Sequence, residues 1–270
     1  MNIYRVNLNE PFLVASEVVE EYRDTGRAVI RGLLNPDALQ PYRDAIANTL
    51  AIAAEERHIQ PGIGGEQRRF VQITNLWQLN APCREFVFAK RFASIAAQLM
   101  GAPSVRLYHD QALFKEPGGK NTPWHQDQHY WPLDTDNTIT MWMALCPVTA
   151  EMGAMSFADG SHKEGFLGHR AISDENHVEF EKMVAERGWP TTQYELQPGD
   201  ATFHSGLTLH MAGPNRSSYM REAMTVIYYP DGTRIMEPDS PHRQADLQAF
   251  HPGQQPGEPA ASPLNPILFP

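Results

Sequence analysis

Between residues 36 and 56 apolar side chains return every three to four positions: Tyr42, Ala45, Ile46, Leu50 and Ala53 fall on one stripe. That period is helical. Asn35 stands where a cap belongs and Pro36 at the first helical position, so the pattern predicts a helix over 36–56. A second helix is predicted over 82–100, ended by Gly101, and a shorter, more polar one over 173–187, before Gly188. Elsewhere β-branched and aromatic residues dominate between Gly, Pro and Asp. Residues 104–115, 138–146, 192–204 and 221–229 read as strands. From about 251 the density of Pro and Gly predicts an extended strap over the surface. Helices come first and strands follow, with no βαβ alternation. That order suits an antiparallel sheet system with flanking helices, of which a jelly roll is a common form. The expected organisation is one domain over 1–270: a helical part at about 15–101, a β core at about 102–235 and an extended C-terminal strap at about 236–270.

Composition narrows the class. The 270 residues are 41% hydrophobic, enough for one large domain with a substantial core. With 22 basic and 32 acidic residues the net charge is −10. That disfavours nucleic acid, whose phosphates need clustered Lys and Arg. No basic run suits a membrane surface, and no apolar stretch approaches the roughly 20 residues of a membrane span. The opening MNIYRVNLNEPFLV lacks the charged start and apolar run of a signal peptide. Cys83 and Cys146 are too few for a disulfide framework or a zinc–thiolate site and fit reduced thiols in a cytoplasm.

Candidate chemistry concentrates at Trp124-His125-Gln126-Asp127-Gln128-His129-Tyr130-Trp131. Strand residues two apart share a face, so His125 and Asp127 can reach one metal. A neutral imidazole and a carboxylate suit Fe(II). In a chain with 11 histidines the tripeptide alone is a weak signal. A third donor is expected further on. His210 is favoured over His204, which shares its parity, because Gly206 interrupts the segment between them. His129 reads as a pocket-lining residue, and His109 and His162 as ordinary polar positions. A guanidinium beside such a site could hold a carboxylate through two parallel hydrogen bonds, and Arg221 and Arg216 both qualify by spacing.

These residues resemble the phytanoyl-CoA dioxygenase family of Fe(II)- and 2-oxoglutarate-dependent oxygenases. The likeness spans about residues 20–235. It is strongest at Gln111–Pro117, Trp124–Trp131, Gly153–His162 and Gly199–Arg221. The resemblance implies a mainly β fold, a double-stranded β-helix of the jelly-roll, cupin-like kind, with iron inside its open end. It implies His125, Asp127 and His210 as iron ligands. It selects Arg221, eleven residues after the distal histidine, to bind the far carboxylate of 2-oxoglutarate. Gln111, Trp142 and Gln72 fall on co-substrate contacts. Many relatives carry a small hydroxyl residue two positions after the distal histidine. Ala212 stands there, so that hydrogen bond is expected to be missing or supplied by another group such as Thr140 or Thr208. Because Asp127 is retained, hydroxylation of a C–H bond is expected rather than halogenation, using O2 and releasing succinate and CO2.

Tyr130, Trp131 and His129 are expected to face substrate, with Trp124 beside them. Gln128, the 162–190 insertion and a Gly-rich lid over 58–72 are expected there too. The absence of a basic cluster favours a small organic molecule over an acyl-CoA. The alternatives are a non-oxidative cupin-like isomerase or hydrolase, and a barrel that binds without turnover.

Overall fold

Why the helical pattern at the N-terminus and the strand pattern beyond it end up in one body is seen in a computed structural model, which describes residues 6–56 and 70–270. In chain order these residues form α1 (Ser16–Thr25), β1 (Arg27–Ile30), α2 (Pro36–Glu56), β2 (Phe70–Thr74), α3 (Ala81–Val87), α4 (Lys90–Met100), β3 (Val105–Lys115), β4 (Thr122–His125), β5 (Ile139–Ala144) and β6 (Met155–Ala158). Then come α5 (Asp174–Arg187), β7 (Thr191–Gln193), β8 (Ala201–Ser205), β9 (His210–Ala212), β10 (Arg221–Pro230), α6 (Pro241–Phe250) and β11 (Ile267–Phe269). The larger sheet runs β1-β8-β5-β10-β3-β11, with β2 also paired to β3; the smaller runs β4-β9-β6-β7. Every pairing is antiparallel. This is the jelly roll expected from the sequence.

The layering follows from strand parity. β5 is buried along its whole length. Met141 and Met143 point into the core shared with Phe92, Ile95 and Leu99 of α4, while Trp142 and Ala144 point the other way. The N-terminal helices α1–α4 therefore cover the outer face of the larger sheet. Its inner face looks toward the smaller sheet, and the cavity lies between them.

α2 matches its predicted span, and the Asn35 side chain accepts from Ala38 N at 2.8 Å. α5 is capped by Ser173 and stopped by Gly188 in the left-handed region (φ 64°). Other expectations change. The helix predicted over 82–100 is two, because the chain turns at Phe88 and Ala89. No Gly or Pro marks the turn, so the helical pattern reads through it, and the bend brings the Phe86 and Phe92 rings to 5.1 Å. The strand predicted over 192–204 is split between sheets as β7 and β8. Gly199 makes the crossing at φ 88°, where a Cβ would lie 2.0 Å from the Leu34 carbonyl oxygen.

The C-terminal strap is also corrected. It contains α6, started by Ser240, which accepts from Arg243 N, and by Pro241, and it ends in β11 on the edge of β3. Leu247 and Phe250 of α6 pack against the Tyr108 and Trp131 cluster. That buried apolar surface holds a segment whose Pro and Gly content suggested none.

Candidate metal and co-substrate site

His125 closes β4 and His210 opens β9, and the two are direct cross-strand partners. Side chains opposite each other on adjacent strands share a face, so both rings turn into the cavity with centroids 4.1 Å apart. Each ring is fixed through its other nitrogen. His125 Nδ1 lies 2.7 Å from the Pro123 carbonyl and His210 Nδ1 lies 2.9 Å from the Thr208 carbonyl. Donation from Nδ1 leaves Nε2 with its lone pair free, the tautomer a metal requires. Both Nε2 atoms face Asp127 Oδ1, at 3.5 and 3.7 Å. The three donor atoms lie within 4.8 Å of one another.

Asp127 uses its second oxygen differently. Oδ2 accepts from the Thr140 hydroxyl at 2.8 Å and has His204 Nε2 at 3.4 Å. Burial works against ionisation, but His210, His125 and His204 hold the Asp127 carboxyl well below the usual carboxylate range. Burial and the rings of His125 and His204 keep His210 from taking a proton. An ionised carboxylate and two ring nitrogens, all inside a buried site, suit a divalent ion of moderate softness such as Fe(II).

His204 is not one of the three grouped donors, yet it lines the same cavity. It sits on β8 opposite Thr140. Both of its ring nitrogens lack a hydrogen-bond partner among the described residues. The turn at Gly206 carries the chain from β8 to β9 and so from one sheet to the other. A Cβ there would meet Thr138 Oγ1 at 2.3 Å and Trp131 at 2.6 Å.

Arg221 begins β10 and is 2% exposed. Its guanidinium lies over Trp142 at 5.3 Å and Phe70 at 5.9 Å, and donates to the Gly153 carbonyl at 3.3 Å. No carboxylate pairs with it among the described residues, and Nε has no partner. Burial draws it down to about 10, so it remains a cation. Arg216 is exposed and outside the cavity. A buried cation left so incompletely satisfied is a ready site for an anion.

The cavity holds about 380 Å³ and takes in Arg221, Trp142, Gln111, Gln72, Thr140, Tyr130 and Trp131 along with the three donors. Several expected roles change. Thr140 gives its hydroxyl hydrogen to Asp127, so it is not the replacement donor for a co-substrate carboxylate. Thr208 donates to the Gly26 carbonyl and lies outside the cavity. His129 does not line the cavity. Its Nε2 faces His242 Nδ1 at 3.3 Å, and burial, followed by His242 and His169, pushes it down to about 4. Gln128 is tied to Thr138 and Thr135, and Trp124 packs with Phe180 and Leu209. From the 162–190 insertion Ile172 reaches the cavity, its N–H donating to Tyr130 Oη at 3.0 Å. Of the predicted lid, residues 58–69 lie outside the described residues.

His109, Asp246 and Phe250 also line the cavity, where sequence reasoning did not place them. His109 could have been found by parity, being two residues before Gln111 on the same strand. Asp246 and Phe250 carry no sequence signal.

Fold and site together define a jelly-roll protein with a two-histidine, one-carboxylate donor set and a buried arginine in one cavity. The chain belongs to the phytanoyl-CoA dioxygenase family, whose profile matches residues 22–223. It is 31% identical over 132 residues to the probable alpha-ketoglutarate-dependent hypophosphite dioxygenase of Stutzerimonas stutzeri, covering 46% of this chain and 45% of that one. It is 28% identical over 152 residues to the methylphosphonate hydroxylase of Gimesia maris, covering 55% and 54%. The chain thus spans about half the length of these curated relatives. Among solved structures, the non-heme alpha ketoglutarate dependent carbocyclase SnoK from nogalamycin biosynthesis superposes with a TM-score of 0.79 at 25% identity, over 96% of this chain and 99% of that one. EctD from S. alaskensis, solved with 2-oxoglutarate and 5-hydroxyectoine, shares the fold at a TM-score of 0.69 and 17% identity, over 86% and 84%.

Proposed function

We propose that the protein is an Fe(II)- and 2-oxoglutarate-dependent dioxygenase that hydroxylates a C–H bond of a small organic molecule. One observation carries this reading: a buried arginine with no carboxylate partner among the described residues shares a cavity with a two-histidine, one-carboxylate donor set. His125, Asp127 and His210 would hold the iron. The iron, with 2-oxoglutarate and O2, supplies the oxidising power, and the keto acid leaves as succinate and CO2.

The chain's own residues bind and orient. Arg221 holds the distal carboxylate of 2-oxoglutarate, with Trp142 stacked against the guanidinium and Gln111 and Gln72 as further polar contacts. The Thr140 hydroxyl fixes the Asp127 carboxylate so that Oδ1 stays turned toward the two imidazoles. Tyr130 and Trp131 bound the substrate space and keep water from it. A cavity of about 380 Å³ suits a small molecule, and the net charge of −10 gives an acyl-CoA's phosphates no basic cluster. No helix among the described residues is long and apolar enough to cross a membrane. Free, buried Cys83 and Cys146 support a reducing cytoplasm as the location.

Anaerobic addition of Fe(II) and then 2-oxoglutarate tests the reading. A weak visible charge-transfer band is expected from keto-acid chelation, with its titration midpoint moved to higher 2-oxoglutarate in Arg221→Ala. No band, or a midpoint indifferent to Arg221, would overturn it. With a turned-over substrate, gain of one oxygen atom in the product separates hydroxylation from ring closure or epimerisation.

A further inference from the structure

The end of the cavity remote from Arg221 is built by an irregularity in β3. Its pairing with β10 runs Val226↔Asp110 and then Tyr228↔Leu107. Two residues, Tyr108 and His109, therefore stand opposite Ile227. A bulge of this kind bends a strand and re-aims its side chains, and bulges recur beside active sites. Here two sequence neighbours meet the same partners on α6. Phe250 packs on both, with ring centroids 4.2 Å from His109 and 5.4 Å from Tyr108. The Tyr108 hydroxyl donates to Asp246 Oδ2 at 2.8 Å. His109, Asp246, Phe250 and Ile227 then line the cavity together. Arg221 and Ile227 are six residues apart on one strand, about 20 Å at full extension. The metal donors and the co-substrate contacts leave this far end unused.

Its polar groups are under-satisfied. Asp246 has the Tyr108 hydroxyl and no paired cation among the described residues. Burial pushes its carboxyl up to about 7, although the Tyr108 hydrogen bond draws it down. Arg243, on the same helix, is engaged by Asp239 and by the Gln128 carbonyl. His109 is 2% exposed, and its Nδ1 has no partner among the described residues. Burial pushes that ring down to about 3, so it is neutral and offers a lone pair. A half-buried carboxyl and a buried imidazole with an unpartnered ring nitrogen, facing the same space, leave bonding capacity for a ligand.

We propose that His109 and Asp246 form the substrate's recognition subsite, taking a head group that donates hydrogen bonds, an ammonium or a hydroxyl, and rejecting an anionic one. Calling the ligand a substrate rests on the oxygenase reading; the subsite rests on the bulge and on α6. An anionic head group would meet a carboxyl and a neutral ring with no cation among the described residues to offset it. A donor head group satisfies both. Apolar Ile227, Phe250 and Trp131 would hold the carbon frame behind it.

The test uses benzylamine, benzyl alcohol and benzoate, which differ only in the head group. Binding to the full-length protein is followed by ligand-observed NMR under argon, with Fe(II) present and 2-oxoglutarate saturating so that the Arg221 end is filled. Benzylamine and benzyl alcohol are expected to bind at least roughly tenfold more tightly than benzoate, a difference of about 1.4 kcal/mol. Asp246→Asn is expected to weaken benzylamine by roughly tenfold while benzyl alcohol moves little, since an amide still accepts a hydrogen bond but carries no charge. His109→Phe, which keeps an aromatic ring against Phe250, should weaken both donors. Equal or tighter binding of benzoate, or indifference of all three probes to both variants, would overturn the proposal. The charge-transfer band of the Fe(II)–2-oxoglutarate complex is read in the same samples. Loss of the band in the unmodified protein with head-group selectivity intact sinks the oxygenase reading and leaves the subsite standing. The band without selectivity does the reverse.

Discussion

Asp127 does two jobs with two oxygens. Oδ1 faces the His125 and His210 rings, and Oδ2 is held by Thr140. Partners of this outer kind orient a ligand, and losing one typically costs 10–100-fold in metal affinity. Thr140→Val should therefore weaken Fe(II) binding by roughly that factor in an anaerobic titration while leaving the fold intact. His210→Ala should abolish tight iron binding outright, and His204→Ala should leave it measurable. The reverse pattern would exchange their roles. The His-x-Asp pair was legible as a motif and not through strand parity, because β4 ends at His125 and Asp127 opens a short 3-10 turn. The choice between His204 and His210 was less so, since parity favours both. What separates them is Gly206, which lets the chain leave one sheet for the other. The Thr140 contact was out of reach, because it joins residues 13 apart through a bond that spacing does not encode.

At the scale of elements, close backbone approaches decide where strands end. Gly199 holds a left-handed conformation with the Leu34 carbonyl where a side chain would go, and neither can yield cheaply. Gly199→Ala should lower the midpoint of chemical unfolding, by more than the roughly 1 kcal/mol that an ordinary Gly→Ala change involves. Asn80→Ala at the start of α3 should cost about 1 kcal/mol, because the Asn80 side chain accepts from Cys83 N. The outlines of α2, α5, β3, β5 and β10 followed from periodicity and end signals. The break within 82–100 and the helix at 241–250 did not. The first is invisible because no Gly or Pro marks the turn and Phe86, Val87, Ala89 and Phe92 are all buried across it. The second was hidden by its flanks, although Ser240-Pro241 is a start signal when read alone.

For the whole molecule, buried carboxyls set how stability follows pH. Asp246 and Asp110 are both raised from 3.8 to about 7, chiefly by burial. The folded chain then binds more protons than the unfolded one between those values. Their contribution is fully present below the unfolded pKa and is lost as pH rises through about 7. Asp127 and Asp200 are lowered, so their contribution is present above the unfolded pKa and is lost as pH falls. Thermal unfolding across pH 4–8 should show Asp246→Asn gaining on the unmodified protein as pH rises through about 7. A gap independent of pH would mean that the Asp246 carboxyl is not raised in the folded protein.

The helix that closes the far end of the cavity lies beyond residue 223, where the family match stops, whereas His125, Asp127, His210 and Arg221 all fall inside it. The residues proposed to hold iron and 2-oxoglutarate and the helix proposed to meet the substrate thus lie in separate stretches of one chain. A lineage can exchange the second without relearning the first. Grafting 236–270 from a relative should change which molecules are admitted while 2-oxoglutarate affinity, read by the charge-transfer band, stays where it was.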